Sequence, residues 1–518
     1  MHAPFEPNWN TALALQDRGR TLEALRHFRE ISRRLARAGG EPAPLLEIAK
    51  RLCGMHDRAA GLELLEAAAR HAGGAPALLI RIGLVLRQEG AFAEAAGFAR
   101  RALLASRDAG TAVDARLLLA ECAERLGRLD ESLALADEVL STHPGSIPAR
   151  RQRAAVLRRR GRLDDALRSL VDLLHKKAPA HWETCRAWFE LGHVHDARGD
   201  HDAAWQAWTQ ARCHYPPNAR WSLYRQQAVH VWQHVRSLHQ AVTGAHLDAW
   251  TRAEDSSPSP PLAILTGHPR SGTTLLEQAL DAHSGIVSAE ETTVFTSAVY
   301  RPIFQHAPPG LDPARCLDAL TADERRGWSG EYHGLTRLAL GEPAGDRLIV
   351  DKNPDLLQLL PAVLRIFPAA RIIVLRRDPR DVLVSMFAQA LPPNHTSYSY
   401  RDVRAAGRMI ALRLSLWRRL RELMPTARFH EVRYEAAAAH FAREVRGVLN
   451  FLGCAPEDGT FDPAAHARRK IVHSPTFAAV QEPVHTRAIG RWKNYERWIA
   501  PALEDLQPEL DALGCGPT

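Results

Sequence analysis

A glycine recurs through the first part of this chain at Gly19, Gly54, Gly90, Gly127, Gly161 and Gly199, with spacings of 35, 36, 37, 34 and 38 residues. Five positions after each stands a small residue: Ala24, Ala59, Ala95, Ser132, Ala166 and Ala204. Seven positions before three of them stand Gly83, Ala120 and Gly192, in stretches with helical spacing of apolar residues. A near-regular period of this length leaves few folds open. The glycine supplies the φ > 0 residue that ends one helix, and the small residue lets the next helix pack closely against it. Each period therefore reads as a helix–turn–helix unit, which buries its apolar face only by stacking on the next unit. The second unit fits least well, because Glu63 falls where a bulky apolar residue is expected.

The sixth unit is the clearest, with Trp188-x2-Leu191-Gly192, then Gly199, Ala204, Trp208 and Pro216. It resembles a tetratricopeptide repeat, as do Leu79-x2-Ile82-Gly83 and the unit ending at Pro144. That resemblance implies an all-α superhelix whose concave face holds a peptide or another protein and carries no chemistry of its own. A helical stretch from Trp221 to Arg252 is expected to cap it. Glu254 to Pro261, rich in serine and proline, then breaks all periodicity and reads as a linker. The expected division is a repeat domain over 1–253, a linker over 254–261 and a second domain over 262–518.

Composition narrows the setting. The 518 residues suffice for two or three domains, 46% are hydrophobic and 24% charged, and the balance is globular. No apolar run is long enough to span a membrane. The first residues lack the basic-then-apolar pattern of a secretory signal. Seven cysteines, an odd number and widely scattered, argue against a disulfide framework and against a zinc site, so a reducing cytoplasm is the expected home. The net charge of +8 rests on 61 Arg and 6 Lys. Such a bias follows genome base composition, and no nucleic-acid partner is expected from it. Residues 1–260 carry 36 basic and 30 acidic side chains, against 31 and 29 in 261–518, so most of the excess lies in the repeats. It could attract acidic acceptor segments.

Directly after the linker, Leu262-Ala263-Ile264-Leu265-Thr266 suits a buried strand, and Leu275 to Leu280 has helical spacing. Between them runs Gly267-His268-Pro269-Arg270-Ser271-Gly272-Thr273-Thr274. Strand, glycine loop and helix form the setting in which backbone amides and a helix N-terminus converge on a phosphate. The loop has the G-x-x-x-x-G spacing of a nucleotide-binding P-loop, but Thr273 stands where that motif has its lysine. Transfer of a nucleotide γ-phosphate thereby loses a central charge. A single 5′-phosphate still fits, with Arg270, Thr273 and Thr274 as added donors.

Gly267 to Thr274, with Leu280-Asp281-Ala282-His283 and Ala289-Glu290-Glu291-Thr292 downstream, resembles the sulfotransferases that use 3′-phosphoadenosine 5′-phosphosulfate (PAPS), closest to the tyrosylprotein branch. The resemblance covers about residues 262–500. It implies an α/β P-loop-like domain with a central parallel sheet, and a 5′-phosphosulfate held by Gly267, Pro269, Arg270, Ser271, Gly272, Thr273 and Thr274. Arg371-Ile372-Ile373-Val374-Leu375 is a second strand-like run before a helix start at Pro379, and the family's 3′-phosphate site falls on Arg377 and Ser385. Arg347 to Lys352 is a third such run, and Lys352 takes the place of the lysine that contacts the transferring group. With Arg270 it would stabilise charge on the departing phosphate.

An acceptor hydroxyl needs a base. Glu290 and Glu291 both stand at a suitable place, and spacing does not choose between them; the resemblance places the base at Glu291. Tyr434 matches a tyrosine near the adenine and suits a core position equally. Arg491 and Lys493 fall in the family's loop over the nucleotide, where Gly490 replaces a serine; Gln389 replaces an arginine of the 3′-phosphate site.

The expectation is a bacterial, cytoplasmic, PAPS-dependent sulfotransferase that releases 3′-phosphoadenosine 5′-phosphate (PAP), needs no metal, and acts on a hydroxyl such as a protein tyrosine. Its repeats would recruit a peptide or protein acceptor. A kinase with a degenerate loop would instead bind ATP and Mg²⁺, and a scaffold with a dead nucleotide site would not turn over.

Overall fold

A computed structural model describes residues 8–38, 41–174, 181–215, 220–252, 260–308, 310–341, 345–472, 474 and 477–516. Pro216 and residues 254–259 of the expected linker lie outside the described residues.

The first part is six helix pairs: α1 (Trp9–Asp17) with α2 (Thr21–Ala38), α3 (Pro42–Gly54) with α4 (Arg58–His71), α5 (Pro76–Gln88) with α6 (Phe92–Ala105), α7 (Ala109–Arg125) with α8 (Leu129–Thr142), α9 (Ile147–Arg159) with α10 (Leu163–Leu174), and α11 (Trp182–Arg198) with α12 (His201–Cys213). In five pairs the left-handed turn residue is the expected glycine. The second unit departs from this. Gly54 is the last residue of α3, and the left-handed residue is His56, at φ 67°. Moving the register by two residues repairs the unit. The small residue five positions on is Gly61, where a Cβ would lie 2.5 Å from the Cys53 sulfur, and the buried apolar residue is Leu65. Ala59 is exposed, and Glu63 is no anomaly.

With that register, Ala12, Ala49, Gly83, Ala120, Ala154 and Gly192 all fall seven residues before the turn, and all are buried. They meet the small residues of the following helix. Ser132 Oγ donates to the Ala120 carbonyl at 2.8 Å, and a Cβ on Gly83 would lie 3.3 Å from the Ala95 carbonyl. Close backbone approach is what fixes the period.

The helices α13 (Trp221–Ala241) and α14 (Gly244–Arg252) do not act as the expected cap. They pack on the second half: His239 Nε2 lies 2.9 Å from the Gln358 carbonyl, Arg419 donates to the His239 carbonyl, and Trp250 Nε1 donates to Asp318 at 2.7 Å. His239 and Trp250 are buried, and the polar partners their rings need lie on the second half.

The second half is built on five parallel strands, β1 (Leu262–Gly267), β2 (Ile286–Ser288), β3 (Leu348–Lys352), β4 (Arg371–Arg376) and β5 (Phe429–Arg433), in the order β2-β3-β1-β4-β5. Leu265 pairs with Lys352 on one side and Ile373 on the other. Alternate residues face opposite layers of helix. Ile264, Ile349, Ile372 and Val374 join one core, and Ala263, Leu265, Val350, Ile373 and Leu375 another. Such burial on both faces is the condition for an all-parallel sheet. After β1 the chain runs outward to β2 and β3, then crosses to β4. The loop after β1 therefore opens at the switch point where a crevice forms.

Candidate functional site

The loop after β1 is tightly folded. Gly267 has φ 151°, and a Cβ there would lie 2.4 Å from the Leu375 carbonyl. Arg270 is left-handed at φ 74°, and Gly272, at φ 97°, caps α15 (Thr273–Asp281) with its α-carbon against the Tyr434 ring. The first amides of α15 have no intrahelical acceptor, so they are donors in want of an anion. The Ser271 hydroxyl is buried without a hydrogen-bond partner, as is Nε of Arg377.

This loop forms one side of a cleft of about 380 Å³, lined by Pro269, Arg270, Gly272, Thr273, Thr274 and Glu291 among others. Arg377, Ser385, Gln389, Tyr434 and Arg491 also line it. Arg270 Nε donates to Ser385 Oγ at 3.0 Å, while Arg377 donates to the carbonyls of Arg270, at 3.0 Å, and Ala488, at 2.5 Å. The Arg377 guanidinium lies 4.4 Å over the Tyr434 ring. Burial, and then the like charges of Arg377 and Arg491, lower Arg270 to about 10. Three cations drawn together against their own repulsion suit a polyanionic ligand.

Lys352, at the end of β3, lies just beneath. Its ammonium is 2.7 Å from Glu291 and 3.2 Å from Glu277, and it is almost wholly buried. Burial alone would lower its pKa, but the carboxylates of Glu277 and Glu291 outweigh this and raise it. Two of its three N–H donors are thus engaged. Burial raises the Glu277 carboxyl, which Lys352 pulls back, and Ser288 Oγ donates to it at 2.6 Å.

Glu290 and Glu291 diverge. Glu290 is left-handed at φ 51°, and its carboxylate pairs with Lys470 at 3.2 Å, away from the cleft. Glu291 faces the cleft with 38% of its side chain exposed.

The expected residues Arg270, Thr273, Thr274, Arg377, Ser385, Tyr434, Arg491 and Glu291 therefore share one cleft, with Gly267, Ser271 and Lys352 behind its wall. Lys493 is not brought to it: its side chain is exposed, beyond the turn at Gly490. That turn is held by Asp381, whose carboxylate accepts from the Gly490 and Trp492 amides at 2.8 and 2.9 Å. Gly490 adopts φ 71°, and nothing lies within 3.8 Å of where its Cβ would be, so only the backbone angle favours glycine.

Sequence reasoning missed Glu277, Asp381, the buried Tyr400 and Arg413, and the exposed Asp355 that pairs with Arg413. Arg413 Nη2 donates to Asp355 at 2.8 Å, and Tyr400 meets His268 at 3.1 Å. Glu277 had a signal: a carboxylate within the apolar run Leu275 to Leu280 calls for a buried cation. Among the described residues no group of three or more His, Cys, Asp and Glu side chains could hold a metal ion, and no helix is long and apolar enough to cross a membrane.

Comparison with known proteins finds a separate likeness for each half of the chain. The sulfotransferase family model matches residues 261–458, and a tetratricopeptide-repeat model matches residues 86–150. The chain thus matches a tetratricopeptide-repeat model in its first half and a sulfotransferase-family model in its second, the two likenesses the motifs indicated. Among its relatives, an uncharacterized protein of Aquifex aeolicus (strain VF5) is 24% identical over 393 residues, covering 75% of this chain and 49% of its own. Protein-tyrosine sulfotransferase 1 of Danio rerio is 28% identical over 247 residues, 45% of this chain and 65% of its own. Protein-tyrosine sulfotransferase 2 of Gallus gallus is 26% identical over 275 residues, 50% of this chain and 70% of its own. The chain spans about half of the first of these relatives and just under two thirds of the second.

Proposed function

We propose that this protein transfers a sulfuryl group from PAPS to an acceptor hydroxyl, releasing PAP, and that the domain for this is 262–518, joined by a linker at 254–261 to a repeat domain over 1–253. The observation that carries the reading is the Lys352–Glu291 pair at 2.7 Å, set beside a cleft walled by the β1–α15 loop and by Arg270 and Arg377. The donor would bring the activated sulfur and a phosphate leaving group. The loop amides, with Ser271, Thr273 and Thr274, would hold its 5′ end, and Arg377 with Ser385 its 3′-phosphate. Two of the buried atoms without partners, Ser271 Oγ and Arg377 Nε, fit such a ligand.

Glu291 would take the acceptor proton as its oxygen bonds to sulfur and the sulfur–oxygen bond to the phosphate breaks. Lys352 and Arg270 would face the negative charge that grows on that phosphate, charge stabilisation being a large share of such catalysis. The third N–H of Lys352 is the one for that task. Tyr434 would sit by the base of the nucleotide, and no metal enters the scheme.

The favoured acceptor is a peptide or protein, tyrosine included, because several of the relatives that match are protein-tyrosine sulfotransferases and the repeats suit a peptide. A bacterial cytoplasm, without nucleic-acid partners, belongs to the same reading. It is tested by ligand-induced stabilisation, since a ligand that binds only the folded state raises the melting temperature. PAP should raise it, by about 2.7 kcal/mol of stability at a hundredfold excess over Kd. Stabilisation by ATP–Mg²⁺ and not by PAP would favour the kinase and sink the sulfotransferase. Glu291→Gln should keep PAP affinity within about twofold while transfer falls by roughly 10²–10⁴. Full transfer in that variant would move the base elsewhere.

A further inference from the structure

One wall of the cleft is the segment 477–495, which contributes Val480, Glu482, Pro483, His485, Ala488 and Arg491. Its other side is gripped by the repeats. Arg125, Arg159 and Asp196 lie two, two and three residues before the turn glycines of units four, five and six, so they form a stripe along the ends of α7, α9 and α11. The Arg125 and Arg159 guanidinium groups stand 4.0 and 5.2 Å from the Phe477 ring centroid. Asp196 pairs with Arg491 at 2.8 Å and accepts from the Tyr495 hydroxyl at 2.5 Å. Arg491 also lies 5.7 and 5.6 Å from the Trp208 and Tyr495 ring centroids. From within the second half, Asp381 holds the Gly490 turn and Arg377 binds the Ala488 carbonyl.

Arg491 is therefore clamped between a carboxylate from the repeat array and the anion cleft of the other half. A long guanidinium side chain loses rotamer entropy when a ligand fixes it, and a fixed carboxylate behind it supplies that ordering before any ligand arrives. We propose that the helix ends of units four to six are a working part of the donor site, with the chain's own 477–495 segment as their ligand, and that Asp196 is a positioning residue that aims Arg491 into the cleft. The inference rests on the donor reading above and extends it to residues 295 positions apart in the chain. It also gives the repeat face an occupant other than an external peptide.

The test uses the full chain. In Asp196→Asn, amide exchange across 485–495 should accelerate without any ligand present, and the Kd for PAP, measured by calorimetry, should weaken about tenfold. Asp196→Glu, which keeps the charge, should restore most of both. Arg198→Ala removes a cation on the same helix that pairs with Asp164, away from the segment, and should move neither. Unchanged exchange and affinity in Asp196→Asn would overturn the proposal, as would equal effects from Arg198→Ala, which would mean a general loosening of α11. If the unaltered protein fails to bind PAP, the donor reading falls by itself, and the exchange measurement still decides whether Asp196 orders the segment.

Discussion

Lys352 stands between two carboxylates of different freedom: Glu277 is buried with it, while Glu291 reaches the cleft. The buried carboxylate keeps the ammonium charged, and the exposed one can exchange its partner for a substrate. Next along β3, the fully buried Asp351 accepts from the Tyr332 hydroxyl at 2.6 Å. Burial raises its carboxyl from 3.8 to about 7, against the pull of Tyr332 and Lys352. A carboxyl raised in the folded state binds its proton there more tightly than in the unfolded chain. Its contribution to stability is therefore full at low pH and is lost as pH rises from about 4 through 7. Asp351→Asn should remove that slope. Denaturant midpoints at pH 5 and pH 8 should show the parent losing ~3 kcal/mol relative to the variant. Parallel curves would show that Asp351 does not titrate in this range. Lys352 and Arg377 were legible only because the β1–α15 loop was legible; alone, each is a charge at a strand end. The choice of Glu291 over Glu290 came from the resemblance and not from spacing, since adjacent residues share every local signal and the left-handed backbone at Glu290 turns them apart.

Helix pairs and the strand–loop–helix were legible as elements because their signals lie within a few residues: a left-handed turn, a small residue one turn further on, an apolar run. Unit two shows how this misleads. A histidine took the left-handed position, and a nearby glycine that needed no special angle was read in its place. The corrected register makes a sharp expectation. Gly61→Leu should cost about 1–3 kcal/mol by overpacking against Cys53, whereas Ala59→Leu, on an exposed face, should stay within about 0.5 kcal/mol. Thermal unfolding of the two variants checks this, and the reverse order would restore Ala59 as the packed residue. The arginine excess also has an element-scale use. Arg58 with Glu94, Arg101 with Glu66, Arg100 with Glu131 and Arg158 with Glu190 each join neighbouring units, at 2.6, 2.9, 2.6 and 2.6 Å. These arginines tie one unit to the next, and because each takes up one glutamate the net basic excess of the repeats is left unchanged.

In the whole molecule the two halves share cores. Trp205 of unit six stacks on Phe387 with ring centroids 4.2 Å apart, Arg212 lies 3.6 Å over the same ring, and Trp208 meets Tyr495. At the other end, the turn at Gly19 packs against Trp328 and Pro302, and Glu331 accepts from the Leu22 amide at 2.6 Å. Shared aromatic burial of this kind couples unfolding, so calorimetry should give one transition for the full chain. Trp205→Ala should lower stability by about 3–5 kcal/mol and broaden or split the transition. Two separate transitions in the parent would mean that the halves unfold independently.

The sequence by itself determined the repeat period, the buried strand segments and the glycine loop between strand and helix, because each is written in patterns of residues close in the chain. The tertiary structure decided which glutamate meets Lys352 across 61 residues and which repeat carboxylate meets Arg491 across 295. An ion pair of that kind has no local signature. It exists only when a rigid array and a rigid sheet bring two long side chains to one place, and burial there makes the pairing worth keeping.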